Sequence, residues 1–421
     1  MSRRALLDDC FLHDKDRLRH DQALEILRDG LKPITGSETV ALVDALGRVA
    51  AHAVTAPRLV PASDNAAVDG WAFCHADYAS RSGRLSVYGR SAAGHPLERA
   101  VPPGSAARIF TGAVMPGGTD TIAMQEDVTV DGDTIAVPAG LKPGANRRRA
   151  GEDLAEGAEV IAARRRLTPA DIAAIASTGA DKVQVHTPLS VAVASTGDEI
   201  VAPGSALLGP AQVYDANRPL LLSLLDGLPA CITDGGLIRD DADTVRATLQ
   251  DLAERHDVLI TTGGASLGEA DHLVETLDEL GTRKAWQLAI KPGRPMMIGR
   301  IGDCAVFGLP GNPVAAFVCF LLYVRPALIV LAGGAWQEPQ RYPLPAGFDM
   351  TKKPDRREFL RGILRETEQG LVVDKFARDG SGLITGLREA DGLIEISEDV
   401  TMVSKNDTIS FVPFGSFGLD A

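Results

Sequence analysis

The chain has 421 residues, 45% of them hydrophobic, which excludes a wholly disordered protein because there is enough apolar material for several cores. It carries 56 acidic and 43 basic residues, a formal net charge of -13. This balance argues against a protein that coats nucleic acid, since phosphate backbones need a basic surface. Binding of small phosphorylated ligands is not excluded, because it needs only a local basic cluster.

The first elements along the chain are predicted to be helical. Asp21 can cap one helix, and an apolar face over 39–49 predicts a second. From 55 to 157, prolines and glycines separate short β-rich runs, and Asp131-Gly132 between two such runs predicts a hairpin. We expect a β module in this region.

After this module the sequence alternates between strand and helix. A helix starts at Thr168, and the elements that follow are strand 189–194, helix 217–225, helix 244–255, strand 258–261 and a helix from Asp271 to Gly281. The alternation predicts a doubly wound α/β domain with a largely parallel sheet. Beyond Gly333, runs 358–364 and 371–376 predict strands again.

The apolar stretch 314–332 is interrupted by Arg325-Pro326, and its first 11 residues are too few to span a bilayer. We interpret it as a buried core helix and expect no membrane association. The five cysteines are scattered, with no Cys-x-x-Cys pair and no zinc-ligand spacing. Reduced thiols and the absence of a signal peptide predict a cytoplasmic protein.

The fold class is therefore α/β plus β modules in a multidomain chain. The expected domains are a helical N-terminal and linker domain at 1–54 with 158–188, an inserted β domain at 55–157, an α/β domain at 189–336 and a C-terminal β domain at 337–421.

Several loops follow predicted strands, where ligands of open α/β sheets bind. Residues 195–199 (STGDE) combine small residues, which allow an anion to approach the backbone, with two carboxylates; a plain capped turn is the alternative. The loop from Gly263-Gly264 to Asp271 is typical of a phosphate cradle, although Asp271 can equally be a helix N-cap. Residues 291–295 (KPGRP) hold two cations on a proline-stiffened turn.

Two further loops have competing interpretations. In 309–313 (LPGNP), Asn312 as N-cap and Pro313 in the first turn explain the motif without a ligand, yet the helix end would attract an anion. In the β module, Asp69, Thr111-Gly112 and the arginines at 147–149 before Asp153 are either a solvated surface or an anion and cation site.

The acidic candidates are Asp69, Asp153, Glu199, Asp240 and Asp271. Carboxylates that converge away from water repel one another unless a cation is bound. Oxygen ligands favour Mg²⁺, which typically bridges carboxylates to substrate phosphates. No local signature of a cysteine nucleophile or a Ser-His-Asp triad is present.

Six motifs, in order over essentially the whole chain, closely resemble the molybdopterin molybdenumtransferase family, which includes MoeA and the E domain of gephyrin. The motifs are 64–72 (DNAAVDGWA), 148–153 (RRAGED), 195–199 (STGDE), the loop from 263 to 271, 291–295 (KPGRP) and 308–313 (GLPGNP). The resemblance implies an elongated four-domain homodimer with an α/β domain similar to molybdopterin adenylyltransferase and a C-terminal β-barrel. Its active cleft lies between the α/β domain of one subunit and the β module of the other.

The resemblance also implies the reaction. The family takes adenylylated molybdopterin and molybdate, cleaves the pyrophosphate linkage with Mg²⁺, releases AMP and leaves molybdenum on the dithiolene. By position, Glu199, Asp240 and Asp271 match the family's acidic cleft residues and are the Mg²⁺ candidates, while Asp69 and Asp153 match those from the partner subunit. With the loop residues above, the candidate substrate-binding residues are Thr111, Arg148, Ser195, Thr196, Gly197, Gly263, Gly264, Ser266, Lys291, Arg294, Pro310, Pro313 and Ser381.

The chain departs from the family pattern at a few positions. Gln287 stands where the family often has lysine, which removes a positive charge. Arg294 also stands in place of a lysine and keeps the charge, but its planar guanidinium donates hydrogen bonds in a different geometry. Two other functions compete: a molybdopterin adenylyltransferase, which the α/β domain alone would suggest, and a non-catalytic scaffold such as the gephyrin relatives. The β modules with Asp69 and Asp153 favour molybdenum insertion, and a dedicated adenylyltransferase is a candidate partner protein.

Overall fold

The computed structural model describes residues 17–206, 209–263 and 272–419. Within these residues the chain forms three six-stranded sheets, several two-stranded pairs and a long apolar helix. The expected fold class, an α/β domain combined with β modules, is confirmed.

The N-terminal helix runs His20–Gly30 and buries Ala23, Leu24 and Leu27. Asp21 does not cap it as expected. Instead the Gln22 side chain accepts a hydrogen bond from the Arg19 backbone N–H at 3.0 Å. Asp21 is directed to the C-terminal domain, where Arg357 donates to both its carboxylate oxygens at 3.0 and 2.8 Å.

The helix predicted over 39–49 is wrong. Ser37–Ala41 is a strand paired antiparallel with Lys182–His186, followed by a 3₁₀ turn, Leu42–Asp44. Pairing with a distant strand overrides the local helical pattern, and Val43 and Leu46 are left 87% and 60% exposed.

The same region joins residues on both sides of the β module. Leu42, Ala45, Ile161, Ile175 and Val183 belong to one apolar cluster. The helix predicted at Thr168 is confirmed as Pro169–Ser177, with a reciprocal capping box between Thr168 and Asp171.

The β module is built on one six-stranded sheet. Its strands, in spatial order, are Thr121–Met124, Gly70–Phe73, Ser105–Ile109, Arg84–Ser91, Thr134–Ala136 and Thr129–Asp131. The last two form the predicted hairpin, and Gly132 has φ +56° in its turn. Helix His75–Ser80 and the strand pairs Asn65–Ala66 with Arg147–Arg148 and Val54–Thr55 with Glu159–Ile161 complete this part.

The α/β domain has a six-stranded sheet with helices on both faces. Its strands, in spatial order, are Ala230–Ile238, Leu189–Thr196, Val258–Thr262, Cys304–Leu309, Pro295–Ile301 and Gly281–Gln287, and its helices before the long one are Asn217–Leu225, Ala242–Arg255 and His272–Leu280. The first four strands are parallel to one another, and Pro295–Ile301 is antiparallel to both of its neighbours, so the largely parallel sheet is confirmed. A small parallel pair, Ile200–Val201 with Val213–Tyr214, lies outside the sheet.

The long apolar helix, Pro313–Leu331, lies in the core. Arg325-Pro326 does not interrupt it as expected, because residues 320–324 widen into a π-helical turn and the helix continues. Such a turn accommodates a proline, which has no N–H to donate. By length and hydropathy the helix would fit a membrane span, but 94% of its apolar window is buried inside the protein. This burial supports the interpretation as a core helix.

The C-terminal domain is a β structure joined to the α/β domain by strand pairing. Its main sheet runs Ile290–Lys291, Arg357–Thr367, Gly392–Ile396, Thr408–Pro413 and Tyr342–Pro345, with Gly370–Lys375 paired to the second strand. The smaller elements are the strand pair Met350–Thr351 with Met402–Val403, helix Thr385–Arg388 and the 3₁₀ turn Phe414–Phe417. Because Ile290–Lys291 extends from the α/β domain, the pairing Lys291 with Glu358 fixes one domain against the other.

Candidate functional site

A cavity of about 550 Å³ lies between the carboxyl ends of the parallel strands and the C-terminal domain. Five of the predicted site residues line it: Glu199, Gly263, Lys291, Pro310 and Ser381. Three come from loops of the α/β domain, Lys291 comes from the short strand that extends from that domain, and Ser381 comes from the C-terminal domain. The topology therefore brings together residues up to 182 positions apart, 199 to 381, in one enclosure.

The loops that carry Glu199 and Gly263 follow two adjacent strands, Leu189–Thr196 and Val258–Thr262. Ser195 and Thr196 are buried at the end of their strand, so they support the cavity wall and do not line it. Gly263 has φ +88°, and a Cβ there would clash with the carbonyl oxygen of Thr196. Asn217 fixes the neighbouring loop, because its Nδ2 donates to Thr262 Oγ1 and to the Gly311 carbonyl, both at 2.7 Å.

Glu199 presents an uncommitted carboxylate. Its side chain is exposed, and no described residue donates a hydrogen bond or ion pair to it, while its backbone carbonyl accepts from Val213 N–H at 2.8 Å. Gly197 has φ +138°, and a Cβ there would lie 2.6 Å from Glu199 Oε2. A side chain at 197 would therefore require the Glu199 carboxylate to move.

Lys291 supplies positive charge to the cavity. Its Nζ lies 3.6 Å from Glu358 Oε2, and 49% of its side chain remains exposed. The turn behind it is tight: Gly293 has φ +103°, and a Cβ there would lie 2.5 Å from the buried Cys319 Sγ. Arg294 is exposed beside this turn but does not line the cavity.

The C-terminal domain adds two charged residues that were not predicted. Arg361 is only 8% exposed and donates to the carbonyls of Leu383 and Arg378 at 3.2 and 2.9 Å, and no described carboxylate forms an ion pair with it. Asp379 accepts from Lys375 Nζ at 2.9 Å, and this hydrogen bond holds the pKa of Asp379 below its usual value, with help from the positive charge of Lys291. Burial lowers the pKa of Arg361, but an arginine remains cationic.

Arg361 had a detectable signal in the sequence. It lies two residues after Phe359 on strand Arg357–Thr367, and therefore on the same buried face of the strand, where a charge needs a partner. Asp379 had no comparable signal, because the loop that carries it reaches the cavity only through the tertiary fold.

The start of the long helix is bonded to the same loop. Val314 donates its backbone N–H to the Ser381 carbonyl at 2.9 Å. Pro313 occupies the first helical turn, as predicted, and Asn312 lines the cavity without capping the helix through its side chain. Ser381 is thus held at the cavity by a helix terminus of the α/β domain.

The candidate residues of the β module do not line this cavity. Asp69 accepts hydrogen bonds from both the backbone N–H and the Oγ1 of Thr111, each at 2.8 Å. These bonds hold the pKa of Asp69 below its usual value. Arg148 and Asp153 are exposed on the same module, and Arg148 lies opposite Asn65 in a short strand pair.

The remaining candidates are placed elsewhere or not described. Asp240 follows strand Ala230–Ile238 and does not line the cavity. Asp271, Gly264 and Ser266 lie outside the described residues. Within the described ranges no three His, Cys, Asp or Glu side chains come together as metal ligands. Mg²⁺ usually needs only one or two carboxylates plus substrate phosphates, and the free carboxylate of Glu199 fits that requirement.

A larger groove of about 970 Å³ lies between the N-terminal helix and the C-terminal domain. Its arginines are already paired: Arg357 binds Asp21, Glu395 and Glu398, and Arg341 binds Glu395. Arginines that are already paired with carboxylates bind a charged ligand weakly, so we assign the site to the smaller cavity.

The sequence matches three family descriptions along its length. They are the MoeA N-terminal region (domain I and II) over 18–179, a probable molybdopterin binding domain over 192–329 and the MoeA C-terminal region (domain IV) over 343–414.

Individual relatives are similar over almost the whole chain. The molybdopterin molybdenumtransferase of Haemophilus influenzae is 36% identical over 94% of this chain and 98% of its own length. Molybdopterin molybdenumtransferase 2 of Mycobacterium tuberculosis is 31% identical over 91% and 96%. The crystal structure of the molybdopterin biosynthesis MoeA protein from Pyrococcus horikoshii OT3 superposes with a TM-score of 0.82 at 26% identity, covering 94% of this chain and 100% of that one.

Proposed function

The chain belongs to the molybdopterin molybdenumtransferase family, and from this premise we propose that it transfers molybdenum from molybdate to adenylylated molybdopterin in the cavity lined by Lys291 and Glu199. It is a transferase of molybdenum cofactor biosynthesis. The observation that carries the choice of site is the convergence of a free carboxylate and two cations, Lys291 and Arg361, beside glycine-rich loops.

The cations of the cavity suit the anions of the reaction. The Lys291 ammonium and the Arg361 guanidinium are positioned to attract the pyrophosphate linkage and molybdate, and Arg361 is held rigid by its bonds to two carbonyls. Preorganised cations stabilise charge that builds on a phosphate as it is cleaved. Holding molybdate next to the substrate lets the two thiol groups of the pterin dithiolene bind molybdenum through proximity, with one molybdate oxygen and the two thiol protons leaving as water.

Glu199, with Asp240 and Asp271 as further candidates, would hold Mg²⁺. The ion, when bound, neutralises negative charge on the substrate phosphates. Among the described residues that line the cavity there is no cysteine, and burial raises the pKa of Cys319, the cysteine behind the Lys291 turn. In this scheme the pterin supplies the sulfur ligands.

We assign the β-module residues to a second subunit. Asp69, Thr111, Arg148 and Asp153 carry the motifs of the family but do not line the cavity of their own chain. A homodimer that shares each cleft between subunits would bring the two sets together. We further propose a cytoplasmic enzyme that receives its substrate from an adenylyltransferase partner.

The test is release of AMP from adenylylated molybdopterin by the purified protein. We expect release that requires both molybdate and Mg²⁺, and no consumption of ATP. An adenylyltransferase would instead consume ATP with molybdopterin, and a scaffold would do neither. Repeating the assay with tungstate in place of molybdate defines the oxyanion preference.

A further inference from the structure

One face of the β-module sheet carries a row of arginine and aromatic side chains beside Asp69. Trp71 lies directly opposite Arg108 in an antiparallel strand pair, and Arg90 lies opposite Arg108 in the neighbouring parallel pair. Asp69 directly precedes the strand of Trp71, and Phe110 directly follows the strand of Arg108, with its ring against the Arg108 guanidinium. The row therefore runs across three strands and ends at a predicted catalytic carboxylate.

Phe110 lies between the two guanidinium groups. The Cζ of Arg90 is 4.6 Å and that of Arg108 is 4.7 Å from its ring centroid, and Arg108 is also 5.6 Å from the Trp71 ring. Cation–π contacts of this kind hold a guanidinium plane flat and leave its outer edge free to donate.

Neither arginine of this row forms an ion pair with a described carboxylate, although Asp69 lies close enough to Arg108 for the arginine charge to help lower the pKa of Asp69. Arg108 Nη1 donates to the Gly70 carbonyl at 3.1 Å and Nη2 to the Gln125 side chain, both neutral acceptors. Arg90 is exposed and makes no hydrogen bond or ion pair with any described residue. Like charges directly opposite in a sheet are destabilising, and the nearby carboxylate of Asp69 is already bonded twice by Thr111.

We propose that Arg90 and Arg108 form an oxyanion-binding pair that holds the phosphate groups of the nucleotide-bearing substrate beside Asp69. This inference rests on the proposed function, because it assigns part of that substrate to the β module. A tetrahedral oxyanion would accept N–H bonds from both guanidinium edges and relieve their repulsion. Molybdate shares this chemistry with phosphate, so the two must be separated by experiment.

Arg90 is the informative residue to change, since its side chain is exposed and the contact it makes among the described residues is with the Phe110 ring. Arg84, also exposed and on the same strand, has no described side-chain partner and serves as the matched control. The measurements for R90Q and R84Q are kcat and KM for adenylylated molybdopterin, and equilibrium binding of AMP and of molybdate by calorimetry. Losing one charge-assisted contact should weaken binding about tenfold.

For R90Q we expect AMP binding weakened and KM raised about tenfold, with kcat changed less than about twofold, and no change in R84Q. R90K should restore only part of the AMP binding, because lysine keeps the charge but lacks the planar guanidinium that stacks on the Phe110 ring. Weakened molybdate binding with normal AMP binding would overturn the assignment to phosphate, and unchanged binding of both would overturn the pair itself. If the wild-type protein binds AMP through Arg90 but releases none from substrate, the proposed function fails and this inference stands.

Discussion

Lys291 Nζ lies 3.6 Å from Glu358 Oε2, across the strand pair that joins the α/β domain to the C-terminal domain. Glu358 is 1% exposed, whereas 49% of the Lys291 side chain is exposed and Lys291 lines the cavity. Arg356 also donates to Glu358, from Nε at 2.9 Å and from Nη2 at 2.7 Å. One buried carboxylate thus anchors a cavity cation and the domain junction together.

Replacing Glu358 by Gln should destabilise the protein by about 1–3 kcal/mol, since two cations lose a buried charged acceptor. Urea unfolding measures the change. E366Q, an exposed position on the same strand, is the control and should stay within about 0.5 kcal/mol of wild type. Equal stability of E358Q and E366Q would mean that the buried carboxylate does not anchor the junction.

Thr111 should set the ionisation of Asp69. Its two donated hydrogen bonds stabilise the charged carboxylate, which is why the pKa of Asp69 lies below 3.8. T111V removes the side-chain donor and keeps the backbone N–H, so the pKa should rise toward 3.8. Carbon-detected NMR titration of the Asp69 carboxyl measures this, and T119V in the same module should leave it unchanged. An unshifted pKa in T111V would contradict the assignment.

His20 should make stability fall with acidification. It is fully buried, with Nδ1 2.8 Å from Tyr323 Oη, and burial lowers its pKa from 6.5 to about 3. Below pH 6.5 the unfolded chain binds a proton that the folded chain does not, so stability is lost from pH 6.5 down to about pH 3. The slope contributed by this residue approaches about 1.4 kcal/mol per pH unit.

Urea unfolding at pH 7, 6 and 5 compares the wild type with H20Q and with H95Q, which changes an exposed histidine. H20Q should be less stable at pH 7 and should show a shallower loss on acidification, whereas H95Q should follow the wild type. Parallel slopes for wild type and H20Q would show that His20 does not titrate on unfolding.

Local patterns in the sequence predicted the α/β elements well. Helices such as Asn217–Leu225 and buried strands such as Val258–Thr262 have strong periodicity and clear end signals. The helix predicted over 39–49 was wrong because the apolar residues there fit both a helical and a strand period. Pairing with a strand more than 140 residues away decides between the two. Strand Ala230–Ile238 was not predicted, because its Asp and Gly residues weaken the strand pattern.

The candidate site was predictable only on the side where loops follow parallel strands. Gly263, Lys291 and Pro310 lie at such ends, and the sheet topology gathers them. Arg361 and Asp379 come from a domain whose approach depends on the Lys291 to Glu358 pairing and the Val314 to Ser381 bond. These are contacts between residues about 70 positions apart, which local sequence does not reveal. The domain boundaries and the roles of the carboxylates remain predictions.

Shared clefts predict recovery of activity in mixed dimers. D69N and K291Q should each be inactive, but a dimer containing one of each has one intact cleft. With random pairing of equal amounts, half of the dimers are mixed, so activity should return to about a quarter of wild type. The control mixes K291Q with E199Q, which damage the same side of both clefts and should not recover. No recovery in the first mixture would contradict a cleft shared between subunits.

We place molybdenum transfer in the Lys291 cavity, and molybdate-dependent AMP release by a Lys291 variant probes this placement. K291Q should lower kcat/KM by about a hundredfold while the protein remains folded, because a preorganised cation is lost. K32Q, at an exposed lysine with no described partner, should retain wild-type turnover. Wild-type turnover in folded K291Q would contradict the claim.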